Sequence, residues 1–355
     1  MKVGLLRAPN EMVYGDIDDP TAAPGDLVVR VKAATVCGTD IRIFRGRKTA
    51  GVRYPSVLGH EFAGEVVDAP GSSEFQRGDA VCVCPAIACG SCAYCVRGFE
   101  NICLNLVAIG YELDGAFAEY IRIPTRAVAN GNVFRIPEGL SFEKAALVEP
   151  LSCVMNGQEL IDVRAGDSVA ILGSGPIGLL HVQLARLSGA QTIIVSEPNA
   201  ARRAAALAAG ADIVVDPTAE DLRETVRGAT GGIGADKVIV AIGVPRLAND
   251  AVGLARHRGK VSLFAGFSAG ETAPVDVNAI HYNELTVTGA FGLTRLHFRR
   301  SLAAIASGRL DVGSIVTHRF ALAEIAEALA AAEQGAGIKV ALVDGEDTIR
   351  QANAS

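Results

Sequence analysis

The chain has 355 residues, half of them hydrophobic and a fifth charged, which suits about two globular domains and excludes global disorder. Its net charge of −6 argues against nucleic acid as the main partner, because phosphate binding needs a basic surface. Aromatics are few and tryptophan is absent, so Val, Ile, Leu and Ala must build the core, as in parallel sheets covered by helices.

No apolar run reaches the length of about 18 residues that a membrane span needs. Charge interrupts Met1-Lys2-Val3-Gly4-Leu5-Leu6-Arg7 too early for a secretory leader. The expected setting is therefore a reducing cytoplasm with no membrane partner. There, clustered cysteines more often hold metal than form disulfides.

Residues 1 to about 150 are rich in Gly and Pro, with short β-type runs at Asp26–Lys32, Gly64–Val67 and Ala80–Val83. They read as an irregular all-β unit. Within it stand Cys37-Gly38-Thr39-Asp40 and Gly59-His60-Glu61-Phe62-Ala63-Gly64. Cys, His and Glu are zinc-ligand types, but neither motif points to a metal by itself. Next comes Cys89-x-x-Cys92-x-x-Cys95, with Cys103 further on. Four thiolates so close in sequence can close a tetrahedral zinc site with no open position, which makes that zinc structural. Cys82 and Cys84 lie beside this lobe and alternate onto one face, which suggests packing.

The pattern turns helical over residues 141–160, with Ser141 as N-cap and Pro150 as the expected bend. This stretch carries Glu149-Pro150 and Cys153. From Asp167 strand and helix alternate, with strands expected at Ser168–Gly173, Thr192–Glu197, Asp212–Val215, Lys237–Ile242, Lys260–Phe264 and Leu285–Thr288. Such alternation implies a parallel doubly wound sheet.

Between the first strand and its helix lies Gly173-Ser174-Gly175-Pro176-Ile177-Gly178, a GxGxxG in the context of a dinucleotide site. Glu197 ends the next strand, where an acid accepts hydrogen bonds from a ribose diol and repels a 2′-phosphate. That favours NAD over NADP. Arg202 is a further candidate contact for the adenosine, with Arg203 as its rival. Phe264, Ala265 and Gly266 close a later strand, and their backbone could meet the cofactor, as could that of Phe291. Helices dominate after Phe291, a strand closes at Gly337–Val343, and the tail after Gly345 looks polar enough to fray.

Taken together, these motifs resemble the zinc-dependent medium-chain dehydrogenases of the alcohol dehydrogenase superfamily. The polyol (sorbitol, iditol) and threonine 3-dehydrogenase branch is the most similar. The resemblance implies a GroES-like β-barrel-type catalytic domain over 1–153, completed by 293–355. It places an inserted doubly wound Rossmann domain over 154–292, with the active site in the cleft. It implies two Zn2+ ions, one catalytic and one structural, together with NAD. Cys37 and His60 would bind catalytic zinc, and Glu61 and Glu149 match the acidic positions around it. Either acid could ligate directly, while Cys153 competes with Glu149. Thr39 would pass on the substrate proton.

The implied activity is oxidation of a secondary alcohol, a polyol or sugar-like compound, to a ketone. The alternatives are L-threonine 3-dehydrogenase, a zinc-free quinone reductase, and a sensor that binds NAD and zinc without turnover. The family is usually dimeric or tetrameric, and residues 285–291 could form an intersubunit edge strand. Two departures stand out. Arg42 occupies a relay position where many relatives have His, and arginine is a poor proton carrier. Gly292-Leu293 matches neither the sorbitol nor the threonine pattern, with Arg295 as a compensating charge or a surface residue. His181, His257 and His318 have no companion ligands in sequence and read as structural or surface residues, whereas His281 and His297 lie near the segment 290–295 that lines the cleft in the family.

Overall fold

The computed structural model describes residues 1–268 and 270–344. The tail after Gly345 lies outside the described residues. Two compact units form. Among the described residues, the first holds 1–152, 292–308 and 312–344; the second holds 153–291 and 309–311.

In the first unit, the main sheet runs Val133–Arg135, Ala80–Val83, Glu61–Asp68, Leu27–Thr35, Lys339–Val343, Val316–Phe320, with Tyr120–Ile123 also pairing Leu27–Thr35. Apolar residues from these strands, including Leu27, Val29, Phe62, Val66, Val81 and Leu342, fill one core. The central pairings are antiparallel and set Thr35 opposite both Glu61 and Ala341. The last strand therefore runs beside the start of the Cys37 motif, where the Val36 N–H donates to the Val340 carbonyl at 2.9 Å.

Residues 141–160 form two helices, Phe142–Ala146 and Val148–Ile161. The Ser141 side chain accepts from the Lys144 N–H, as a cap should. The break falls at Leu147 rather than at Pro150. Pro150 sits in the first turn of the second helix, where no N–H is required.

The second unit carries six parallel strands in the order Ile213–Val215, Thr192–Ser196, Ser168–Leu172, Ala235–Val240, Ala255–Leu263, Thr286–Gly289. In sequence order this is 3-2-1-4-5-6, the doubly wound dinucleotide-binding arrangement. Ala170, Ile194, Val238, Val240 and Val261 form its core. Short helices at Leu222–Ala229, Leu247–Leu254 and Val277–Tyr282 complete it. Their two turns or so are too brief to show a clear helical period in sequence.

Candidate metal centres and nucleotide loop

Cys89, Cys92, Cys95 and Cys103 converge, with their sulfur atoms all within 4.8 Å of one another. Three Sγ–Sγ separations are 3.9 Å (Cys89–Cys95), 3.5 Å (Cys92–Cys95) and 3.9 Å (Cys92–Cys103). A tetrahedron with Zn–S bonds of about 2.3 Å has edges of about 3.8 Å, so the donor set fits zinc. Backbone N–H groups of Cys89, Cys92 and Asn105 point at these sulfurs. Backbone donation from Ser91 and Cys92 pushes the Cys89 thiol down to about 5, whereas burial pushes Cys95 up to about 12. A divalent cation would hold all four as thiolates. The lobe is anchored by Arg295, whose backbone N–H and guanidinium both bond to the Glu100 carboxylate. Arg295 is thus a structural partner of the lobe.

A second set forms at one end of the main sheet. One ligand atom each of Cys37, His60 and Glu61 lies within 4.8 Å of the others. Cys37 caps the helix Gly38–Phe44, and its N–H donates to Asp40 Oδ2 at 2.8 Å. Asp40 is fully buried and its Oδ1 lies 3.3 Å from His60 Nδ1. Neither atom makes a hydrogen bond of good geometry among the described residues. A carboxylate at one ring nitrogen orients a metal-binding histidine and sets its tautomer. Burial opposes a charge on His60, yet Tyr111, Asp40 and Cys37 raise its pKa well above 6.5. A thiol and several buried acids thus give a negative potential that suits a divalent cation.

Glu149 is buried and lies outside this three-residue set. Burial pushes its pKa up to about 7; His60 and Lys339 work against that rise, and Glu61 and Asp40 add to it. Cys153, one turn along the same helix, begins the second unit and is also outside the set. The Thr39 hydroxyl accepts from Arg42 Nη2 at 3.3 Å. Cys82 and Cys84 are fully buried, and burial raises both thiols.

Asp40, Lys339 and Tyr111 belong to this neighbourhood but do not stand out in the sequence. Asp40 could have been found as the acid closing the Cys37 motif. Nothing local marks Lys339, which reaches Glu61 only through strand pairing. Tyr111 stands in a loop, its ring 5.2 Å from that of His60.

At the glycine loop, Gly173 has φ +96°, open to glycine at little cost. A Cβ on Gly178 would lie 2.0 Å from the Gly173 carbonyl oxygen, so the helix can approach the strand only as glycine. Gly175 faces open space and caps the helix Pro176–Leu187. These features suit a pyrophosphate at the helix N-terminus. Glu197 is buried: Oε2 accepts from the Ser174 N–H at 2.9 Å and Oε1 from the Asn199 N–H at 3.0 Å. A carboxylate has about four acceptor sites, so capacity for a ribose diol is left. Arg203 is committed to the Glu197 and Pro198 carbonyls and to Asp216. Arg202 lies in the first turn of the helix Ala200–Ala208, its carbonyl accepting from the Ser174 hydroxyl. The Phe264 side chain packs edge-on to His181 at 4.6 Å and against Gly157, leaving its backbone, with Ala265 and Gly266, at the strand end. Phe291 is exposed, and its carbonyl accepts from Asn156.

Among the described residues no helix is long and apolar enough to cross a membrane. Residues 23–137 match the alcohol dehydrogenase GroES-like domain, and residues 176–307 match the zinc-binding dehydrogenase family. An L-threonine 3-dehydrogenase from Pyrococcus furiosus is 36% identical over 329 residues, covering 90% of this chain and 91% of the relative. An L-galactonate-5-dehydrogenase from Escherichia coli is 32% identical over 328 residues, covering 92% and 94%. The solved structure of a zinc-binding dehydrogenase from Sinorhizobium meliloti, bound to NADP, superposes with a TM-score of 0.90 at 35% identity, covering 96% of this chain and 98% of that one.

Proposed function

This chain belongs to the zinc-binding alcohol dehydrogenase family, and we propose that it oxidises a secondary alcohol of a polyol or sugar-like compound to a ketone, with NAD as acceptor. The convergence of Cys37, His60 and Glu61 beside Asp40 carries this reading. Cys37 and His60 would hold the catalytic zinc, with Glu61 or Glu149 as the acidic partner. Cys89, Cys92, Cys95 and Cys103 would hold the structural zinc. When bound, the catalytic ion supplies Lewis acidity to the substrate hydroxyl, and the dinucleotide accepts the hydride.

The chain's own residues orient and move protons. Asp40 fixes the His60 ring. Because Arg42 donates to Thr39 Oγ1, that hydroxyl keeps its own proton free to rearrange and can receive the substrate proton. Arg42 cannot carry the proton further, so exit runs from Thr39 to water or a cofactor hydroxyl. Gly173, Gly175, Pro176, Ile177 and Gly178 would seat the pyrophosphate, and Glu197 the adenosine ribose. Arg202 would lie against the adenosine, with backbone contacts from Phe264, Ala265, Gly266 and Phe291. This supports NAD even though the neighbour from Sinorhizobium meliloti holds NADP.

The same reading takes the chain to a reducing cytoplasm, which agrees with eight free cysteines. It also takes it to a homodimer or homotetramer. A second substrate reading, oxidation of L-threonine, is favoured by the identity to the Pyrococcus furiosus relative. The test is NADH production from polyols, sugars, sugar acids and L-threonine, with and without a chelator. Cys37→Ser should abolish turnover and leave NADH binding intact. Turnover on threonine alone would replace the substrate reading, and undiminished turnover without metal would overturn the mechanism.

A further inference from the structure

Two cations flank the Cys37–His60 centre with no ion-pair partner among the described residues. Arg42 lies on the helix Gly38–Phe44, and its guanidinium bonds only to the Thr39 hydroxyl among the described residues. Lys48 follows shortly after; its ammonium donates to the Ala50 carbonyl and lies 5.0 Å from the centre of the Tyr111 ring. Tyr111 in turn lies 5.2 Å from His60, so a line of contacts runs from metal centre to cation. Neither Arg42 nor Lys48 forms an ion pair among the described residues. Other cations nearby do: Arg45 pairs with Glu333, and Arg53 with Asp114 at 2.6 Å. Glu112 is the acid that acts on Lys48 from further away, and its carboxylate already accepts from the Ala108 N–H. Arg42 and Lys48 are both half-buried, and burying unpaired positive charge costs free energy that a bound anion would offset.

We propose that Arg42 and Lys48 form a carboxylate subsite beside the metal centre, so that the preferred substrates are polyhydroxy acids rather than neutral polyols. This rests on the dehydrogenase reading above. A guanidinium offers a two-pronged fork and an ammonium a compact charge, and both match a carboxylate. In a sugar acid of about six carbons, the reacting hydroxyl sits at Cys37 and His60 while the acid end reaches Lys48. A neutral polyol leaves both cations uncompensated.

The test compares matched pairs on the zinc-loaded enzyme with saturating NAD: galactonate against galactitol, and gluconate against sorbitol. The variants are Lys48→Met, Arg42→Gln and the double change, with Lys48→Arg as rescue and the exposed Arg7→Gln as control. The wild type should favour the acid over its alditol by about tenfold or more in kcat/KM, the scale of one charged hydrogen bond. That ratio should fall to near one in the double variant, through KM for the acid, and return in Lys48→Arg. Calorimetric titration with galactonate gives a readout independent of turnover. Binding lost in the double variant supports the subsite even if no alcohol is oxidised, an outcome that would overturn only the dehydrogenase reading. A preference for alditols, equal galactonate binding by wild type and double variant, or a rise in KM for NAD alone would each overturn the subsite. The last result would assign the cations to the cofactor phosphates.

Discussion

Lys339 Nζ meets Glu61 Oε2 at 2.5 Å, and both side chains are almost wholly buried. The Thr35 hydroxyl donates to the same oxygen. Two donors therefore converge on Oε2, and Oε1 carries no hydrogen bond among the described residues. Burial works against the charge on Lys339, but Glu61 and Cys37 outweigh it and raise its pKa. The acid of the candidate metal centre is thus gripped from a strand near the far end of the chain.

Removing that grip should destabilise the first unit. Lys339→Met leaves a buried carboxylate unpaired, at a cost of about 3–5 kcal/mol. Chemical denaturation of the metal-free protein should show this loss, and Glu61→Gln added to Lys339→Met should recover much of it. A single variant as stable as wild type would mean the pair contributes nothing.

Elemental analysis should find two zinc ions per chain, and one in Cys95→Ser. That variant should also melt at lower temperature and be cut more readily by protease within residues 86–108, because the lobe has little apolar core beyond the cysteines, Ala88 and Leu106. Two zinc ions retained in the variant would remove the lobe from the metal sites.

Fluorescence titration should show NADH binding at least about tenfold tighter than NADPH, a difference of about 1.4 kcal/mol. The buried Glu197 carboxylate would meet a 2′-phosphate with like charge. Glu197→Gln should narrow the gap while keeping an acceptor for the Ser174 N–H. Tighter NADPH binding by the wild type would refute the assignment.

His181 is fully buried against Phe264, and the Gln158 amide donates to its carbonyl at 2.8 Å. Burial lowers its pKa from 6.5 to about 3. The unfolded chain therefore takes up this proton at higher pH than the folded one. The stability contributed by the neutral ring is complete above about pH 6.5 and is lost as pH falls from there toward about 3. In thermal melts from pH 8 to pH 5, wild type and His181→Asn should converge as the pH drops. Parallel curves would contradict a neutral buried ring.

Much of this was legible in the sequence because the signals are local. The four-cysteine lobe needs only spacing and turns, since its ligands span a few residues. The glycine loop needs only a strand before it and a helix after it. The doubly wound sheet shows in apolar runs, because strands buried on both faces have no polar alternation to hide them. The break at Leu147 was displaced from Pro150 because proline is tolerated in a first helical turn and so marks no fixed boundary.

The sequence by itself determined the donor types: thiols, imidazole and carboxylates in motifs able to hold zinc, and an acid after the second strand of a nucleotide fold. Only the tertiary structure decided which of them meet. Glu61 joins Cys37 and His60 while Glu149 stays outside that set, because antiparallel pairing sets Glu61 opposite Thr35 at the sheet end. Asp40 is turned onto His60, and Lys339 is brought back from the chain's far end onto Glu61. The Lys339 contact depends on strand register between segments some 300 residues apart, information that no local pattern carries.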